Sequence, residues 1–137
     1  MSIEKTREFY KNFDDLCDCA YCTNYIREIK KSYEDLTSYL EKIGVDIEKP
    51  FETMPGESEN GQVEYFAVQY IVMGDSKDFS TTKLGEVAID LAKSHPDPNL
   101  DDKYYVIEVG PIKLEWTIGE ELWTKYIKSF LKLKANM

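Results

Sequence analysis

No apolar run in this sequence approaches the roughly 18 residues that a membrane-spanning helix requires. The opening Met-Ser-Ile-Glu-Lys-Thr-Arg-Glu mixes both charge signs and has no apolar stretch, unlike a secretory signal or an acid-poor transit peptide. A cytoplasmic location is the expectation. Basic side chains are scarce: 17 against 26 acidic ones leave a net charge of -9, the wrong sign for neutralising phosphates or docking on an anionic bilayer. Neither nucleic acid nor a membrane surface is an expected partner. Histidine occurs once, so every histidine-dependent triad would have to use His95. The serines form no Gly-x-Ser-x-Gly elbow and the glycines no nucleotide-binding loop, so enzyme activity is not expected. Internal repeats and low-complexity tails are also missing, and 137 residues are the length of a single domain, residues 1–137, with its own core.

Glycine and proline are absent until Gly44 and Pro50, which suits a helical opening. A short helix is expected over residues 3–13, ending where Asn12, Asp14, Asp15 and Asp18 lower the propensity. From Thr23 the apolar residues Ile26, Ile29, Tyr33, Leu36, Leu40 and Ile43 recur every three or four positions, which predicts one helix over about 24–43. Thr23 is its expected cap, and Gly44 followed by Val45 its left-handed stop. The Pro/Gly-containing run 54–61 reads as a loop.

Residues 63–73 are β-branched and aromatic with both alternating faces apolar, as in a strand inside a sheet. Residues 85–93 alternate cleanly, 103–109 form a third strand and 112–117 a fourth, with Gly110-Pro111 marking a bulge, edge or bend. Thr117-Ile118-Gly119-Glu120 matches a capping box and opens a terminal helix striped by Leu122, Trp123, Tyr126, Ile127, Phe130 and Leu131. Strands that follow one another without helices between them pair antiparallel. The expected fold is therefore α+β: a four- to five-stranded antiparallel sheet with N-terminal and C-terminal amphipathic helices packed on it. Its expected core includes Phe66, Val68, Tyr70, Val72, Val87, Ile89, Ile107, Leu114 and Trp116.

All three cysteines, Cys17, Cys19 and Cys22, fall within six residues. Soft thiolates so close in sequence present two or three ligands to zinc, and His95 can complete a Cys3His tetrahedron if its loop folds back. The metal site expected from the sequence is thus Cys17, Cys19, Cys22 and His95, with zinc as cofactor. Two other readings compete. Free cysteines are often small buried hydrophobes, and Cys19-x-x-Cys22 at a helix start also suits thiol–disulfide exchange. A structural disulfide is disfavoured in a reducing compartment, and an odd count leaves one thiol over. His95, in Ser94-His95-Pro96-Asp97-Pro98-Asn99, is also the one near-neutral acid or base, although a locally bonded surface histidine is the commoner role. Tyr21, Tyr25, Tyr33 and Tyr39 either line a groove or bury their rings with wet hydroxyls.

Charge is uneven along the chain. Residues 50–102 hold 11 acidic and 3 basic side chains, whereas residues 103–137 hold 4 and 6. An acidic field of this kind steers association with a basic protein, as in inhibitors and immunity proteins, and such an acidic interaction module is the alternative function.

The runs Cys19-Ala20-Tyr21-Cys22-Thr23-Asn24-Tyr25, 40–53, Gln69-Tyr70-Ile71-Val72, Ser94-His95-Pro96 and 111–116 together resemble a family of small uncharacterised bacterial proteins. The Cys-x-Tyr-Cys-x-Asn-Tyr opening is the most specific part. The resemblance implies a bacterial origin and one domain, and the family has no assigned activity. Cys17 lies outside the motif, which points to a site built on Cys19, Cys22 and His95.

Overall fold

The computed structural model describes residues 2–118. Three helices lead, α1 (Ile3–Asn12), α2 (Ala20–Ser32) and α3 (Glu34–Lys42). Six strands follow: β1 (Glu52–Glu59), β2 (Gln62–Met73), β3 (Thr82–Leu84), β4 (Val87–Leu91), β5 (Tyr104–Gly110) and β6 (Ile112–Glu115). They form one antiparallel sheet in the order β1-β2-β5-β4-β3, with β6 paired to the first part of β2. This is the expected α+β class, with six strands among the described residues instead of four or five. The expected terminal helix and its Leu122 to Leu131 stripe lie outside those residues.

The doubly apolar segment is β2, and it is interior as its composition requires. One edge pairs with β1, from Glu52 opposite Gln69 to Glu59 opposite Gln62. The other pairs first with β6, from Gln62 opposite Glu115 to Tyr65 opposite Ile112, and then with β5, from Val68 opposite Val109 to Met73 opposite Tyr104. Between these two ladders the side-chain alternation slips by one residue. Val63 and Tyr65 enter the main core, and so do Val68, Tyr70 and Val72. Phe66, expected in the core, is instead 61% exposed, because a one-residue slip turns a side chain to the other face of the sheet. The junction opposite is crowded: a Cβ on Gly110 would lie 2.3 Å from the Phe66 carbonyl oxygen, so glycine is required there. The remaining expected core residues are buried, apart from Trp116, which is half-buried against the same cluster. Ile71, Met73 and Val106 form a second cluster on the opposite face with Phe51 and Leu100.

Beyond Gln69 the β1 edge of β2 is taken over by α1. The Ser2 amide donates to the Met73 carbonyl (2.9 Å), the Met73 amide to Thr6 Oγ1 (3.0 Å), and the Tyr10 hydroxyl to the Ile71 carbonyl (2.7 Å). Buried strand groups left without partners would cost free energy, and these three bonds supply them.

Three local expectations need correction. The helix over 24–43 is two helices, α2 and α3, broken at Tyr33 (φ -133°, ψ 69°). The Tyr33 hydroxyl accepts from the Lys113 amide (2.9 Å) and is 3.2 Å from the Lys113 carbonyl, so this residue binds the helix break to β6. The cap is Cys19, four residues before Thr23. The other end is as expected: Gly44 (φ +88°) and Val45 return amides to Glu41 and Leu40, closing α3 in a Schellman turn. The loop expected over 54–61 is instead mostly β1, turning into β2 through Asn60 (φ 54°) and Gly61 (φ 76°), the left-handed pair that a tight hairpin turn selects. Pro55 is tolerated because β1 is an edge strand whose register shifts at that residue.

Inside the main core a chain of hydroxyls joins the layers. Tyr70 donates to the Ile47 carbonyl (2.7 Å), which leaves its oxygen to accept from Tyr25. Burial pushes both phenols well above the ordinary tyrosine range. A folded-state pKa raised in this way contributes stability that is complete below about pH 10, the unfolded tyrosine value, and is lost as pH rises beyond it. Tyr70→Phe leaves the Ile47 carbonyl and the Tyr25 hydroxyl unpaired. It should cost about 1–3 kcal/mol in urea unfolding at pH 8, and its stability should decline less steeply than wild type above about pH 10.

Candidate metal centre

The three cysteines lie at the start of α2, whose first turns are held by buried polar contacts. Asn24 is fully buried. Its Nδ2 donates to the Glu115 carbonyl (2.9 Å) and its Oδ1 accepts from the Thr117 amide (2.9 Å), so one carboxamide satisfies both sides of the chain leaving β6. The Tyr65 hydroxyl donates to the Tyr21 carbonyl, the Tyr21 ring packs on Trp116, and Tyr25 meets Tyr65 edge to face. Every named position of the Cys-x-Tyr-Cys-x-Asn-Tyr motif therefore has a place in docking this turn or in the thiol group.

Cys19 is the N-cap of α2 in extended conformation (φ -66°, ψ 165°), and its Sγ accepts from the Cys22 amide at 3.5 Å. Cys22 is buried, with Sγ 3.2 Å from Thr53 Oγ1 on β1. Cys17 and Cys19 are exposed. The three sulfur atoms all lie within 4.8 Å of one another. Tetrahedral zinc with bonds of about 2.3 Å holds its sulfurs about 3.8 Å apart, so small side-chain rotations suffice to close the group on an ion. Beside Cys17 and Cys22 opens a cavity of about 240 Å³, with Asp15, Glu52 and Thr53 among its lining. The arrangement can bind a metal through three thiolates.

The thiols are electrostatically unequal. Partial desolvation works to raise the pKa of Cys19, but the Cys22 amide, the Cys17 and Cys22 side chains and the Tyr21 backbone outweigh it, leaving the thiol below its ordinary value. Burial pushes Cys22 up to about 12, against the lowering effect of Thr53.

His95, the fourth residue expected from the sequence, is not part of this thiol group. Its ring lies against Phe51 and Tyr104, its Nδ1 is 2.7 Å from the Pro96 carbonyl, and Gln69 Nε2 holds the loop through the Ser94 carbonyl (2.9 Å). The tyrosines expected along one helix are divided between α2, the break and α3. Tyr25 is buried, Tyr21 is exposed, and Tyr33 and Tyr39 are half-buried. Sequence reasoning missed Thr53, Asp15 and Glu52. The only available signal for Thr53 was the Asn60-Gly61 turn, which identifies the hairpin carrying it. No helix among the described residues is long and apolar enough to cross a membrane. Compared with protein-family models, curated proteins and solved structures, the chain matches none of them.

The inequality of the thiols has a direct readout in metal-free, reduced protein. Alkylation of Cys19 should reach half its maximal rate below the pH of an ordinary thiol, because the thiolate is the nucleophile. Cys22 should stay protected until the pH approaches about 12 or the chain unfolds. Peptide-resolved mass spectrometry after timed iodoacetamide pulses measures both; equal pH profiles for the two cysteines would contradict this assignment.

Proposed function

We propose that the protein is a metal-binding module in which Cys17, Cys19 and Cys22 hold one zinc ion. The observation that carries this reading is the convergence of three sulfurs within 4.8 Å, two of them in the first turn of a helix clamped to the sheet. Soft thiolates suit zinc over the harder divalent cations, and three protein ligands leave a position for a fourth. Asp15, Glu52 or a water can supply it from the adjoining cavity. His95 can do so only by leaving its contacts with Pro96 and Phe51.

The ion would join the segment before α2 to the helix itself. The main core of Tyr25, Ile29, Leu36, Leu40, Val68 and Tyr70 includes none of the three cysteines, so metal removal should loosen residues 14–19 while leaving the domain folded.

Protein purified in reductant without chelator should contain about one zinc per chain, with Zn–S distances near 2.3 Å. Cys22→Ser should lose the ion, and affinity should weaken as pH falls, because protons compete with the metal for each thiolate. His95→Ala should retain the ion. A stoichiometry near zero in reduced, chelator-free protein would overturn the reading.

A further inference from the structure

We infer that the metal-free form of this protein carries out thiol–disulfide exchange, with exposed Cys19 as the attacking sulfur, Cys22 as the resolving sulfur, and small cationic or neutral disulfides as preferred substrates. The inference concerns the site of the proposed metal module, but its chemistry does not require the ion.

The geometry of the pair sets the roles. Cys19 is exposed and caps α2, with its sulfur at the open end of the first turn, where an incoming disulfide has access. Cys22 sits on the same turn at 6% exposure, out of reach of an external reagent but with its sulfur within 4.8 Å of Cys19. Cys17 precedes the helix, so it does not share the first-turn scaffold that fixes the other two. Resolution by Cys22 is intramolecular, and effective concentrations in such reactions far exceed those of free thiols.

The steps balance without a cofactor. The Cys19 thiolate attacks one sulfur of a substrate R–S–S–R, forming a Cys19–S–S–R bond as the substrate bond breaks and R–S⁻ departs. Cys22 then loses its proton to solvent or to the departing thiolate and attacks the Cys19 sulfur, forming Cys19–S–S–Cys22 and releasing the second R–S⁻. The protein dithiol is oxidised, and the substrate disulfide, which is the oxidant, is reduced to two thiols.

Substrate preference follows from the surroundings. Asp15 and Glu52 are exposed and line the cavity beside Cys22, and the exposed Asp18 directly precedes Cys19. The cavity beside Cys22 is lined by the apolar residues Leu16, Ile26, Pro50 and Phe51 with Asp15 and Glu52, and by no basic side chain. This field repels anionic disulfides and attracts cationic ones, and salt weakens the discrimination.

The test uses chelator-treated, reduced full-length protein with three probes: cystamine (cationic), bis(2-hydroxyethyl) disulfide (neutral) and oxidised glutathione (anionic). Wild type should end as a Cys19–Cys22 disulfide with Cys17 still alkylatable, at rates ordered cystamine, then the neutral probe, then glutathione, converging at high salt. Cys22→Ser should stop as a mixed disulfide on Cys19, and Cys19→Ser should consume disulfide at least about tenfold more slowly. Circular dichroism of each variant checks that the fold is retained. A final bond involving Cys17, a mixed disulfide that persists in wild type, or a rate order that places glutathione first would overturn the inference. Zinc-loaded protein should exchange more slowly and release its ion as the disulfide forms. Zinc binding without exchange in the metal-free protein would defeat this inference alone; exchange in a protein that binds no zinc would defeat the metal reading alone.

Discussion

The buried carboxamide of Asn24 is the constraint on which the site depends. A side chain that carries both a donor and an acceptor is fully desolvated at the start of α2, and the Glu115 carbonyl and the Thr117 amide satisfy it. Losing either partner would leave a polar group unpaired in the interior, at a cost of about 1–3 kcal/mol. The helix therefore has one low-energy position relative to β6, and the Tyr65 hydroxyl fixes the same turn to β2 through the Tyr21 carbonyl. The thiols inherit that rigidity: Cys19 caps a helix whose origin cannot slide, and Cys22 projects from it onto Thr53 of β1.

Elsewhere the same economy recurs, with buried polar groups closing edges that the sheet leaves open. Ser2, Thr6 and Tyr10 complete the far end of β2, and Tyr25, Tyr70 and the Ile47 carbonyl tie α2, β2 and the segment after α3 into one chain. The consequence for function is a separation of roles. The domain is held by apolar packing and tyrosine hydroxyls, while the cysteine group lies at its margin, with two thiols exposed and acidic residues beside them. Changes at the thiols are therefore separable from the packing of the core.

Much of this was legible in the sequence where local pattern and tertiary demand agree. The α1 helix, the Gly44 stop, the interior β2 and the β5–β6 break at Gly110-Pro111 all carry local signals that burial reinforces. The single helix over 24–43 failed because Tyr33 gains more from bonding Lys113 than from continuing the helix, a contact 80 residues distant in sequence. Phe66 was misplaced because strict alternation ignores the slip opposite Gly110. Strand β1 was hidden by Pro55 and Gly56, although Asn60-Gly61 is a hairpin signal, and with it went Thr53. The cysteine group was visible as spacing; Asp15 and Glu52 beside it needed the fold, and the position of His95 depends on packing against Phe51 and Tyr104 that no spacing rule contains.

The central claim, that Cys17 and the two thiols of the first turn of α2 close around one ion, is tested most directly by zinc K-edge X-ray absorption on the isolated metal-bound protein. The expected first shell is three sulfur scatterers at about 2.3 Å and one oxygen, with one sulfur lost in Cys17→Ser if that variant still holds the ion. A shell of oxygen and nitrogen only, or one with fewer than three sulfurs in the wild-type protein, would contradict it.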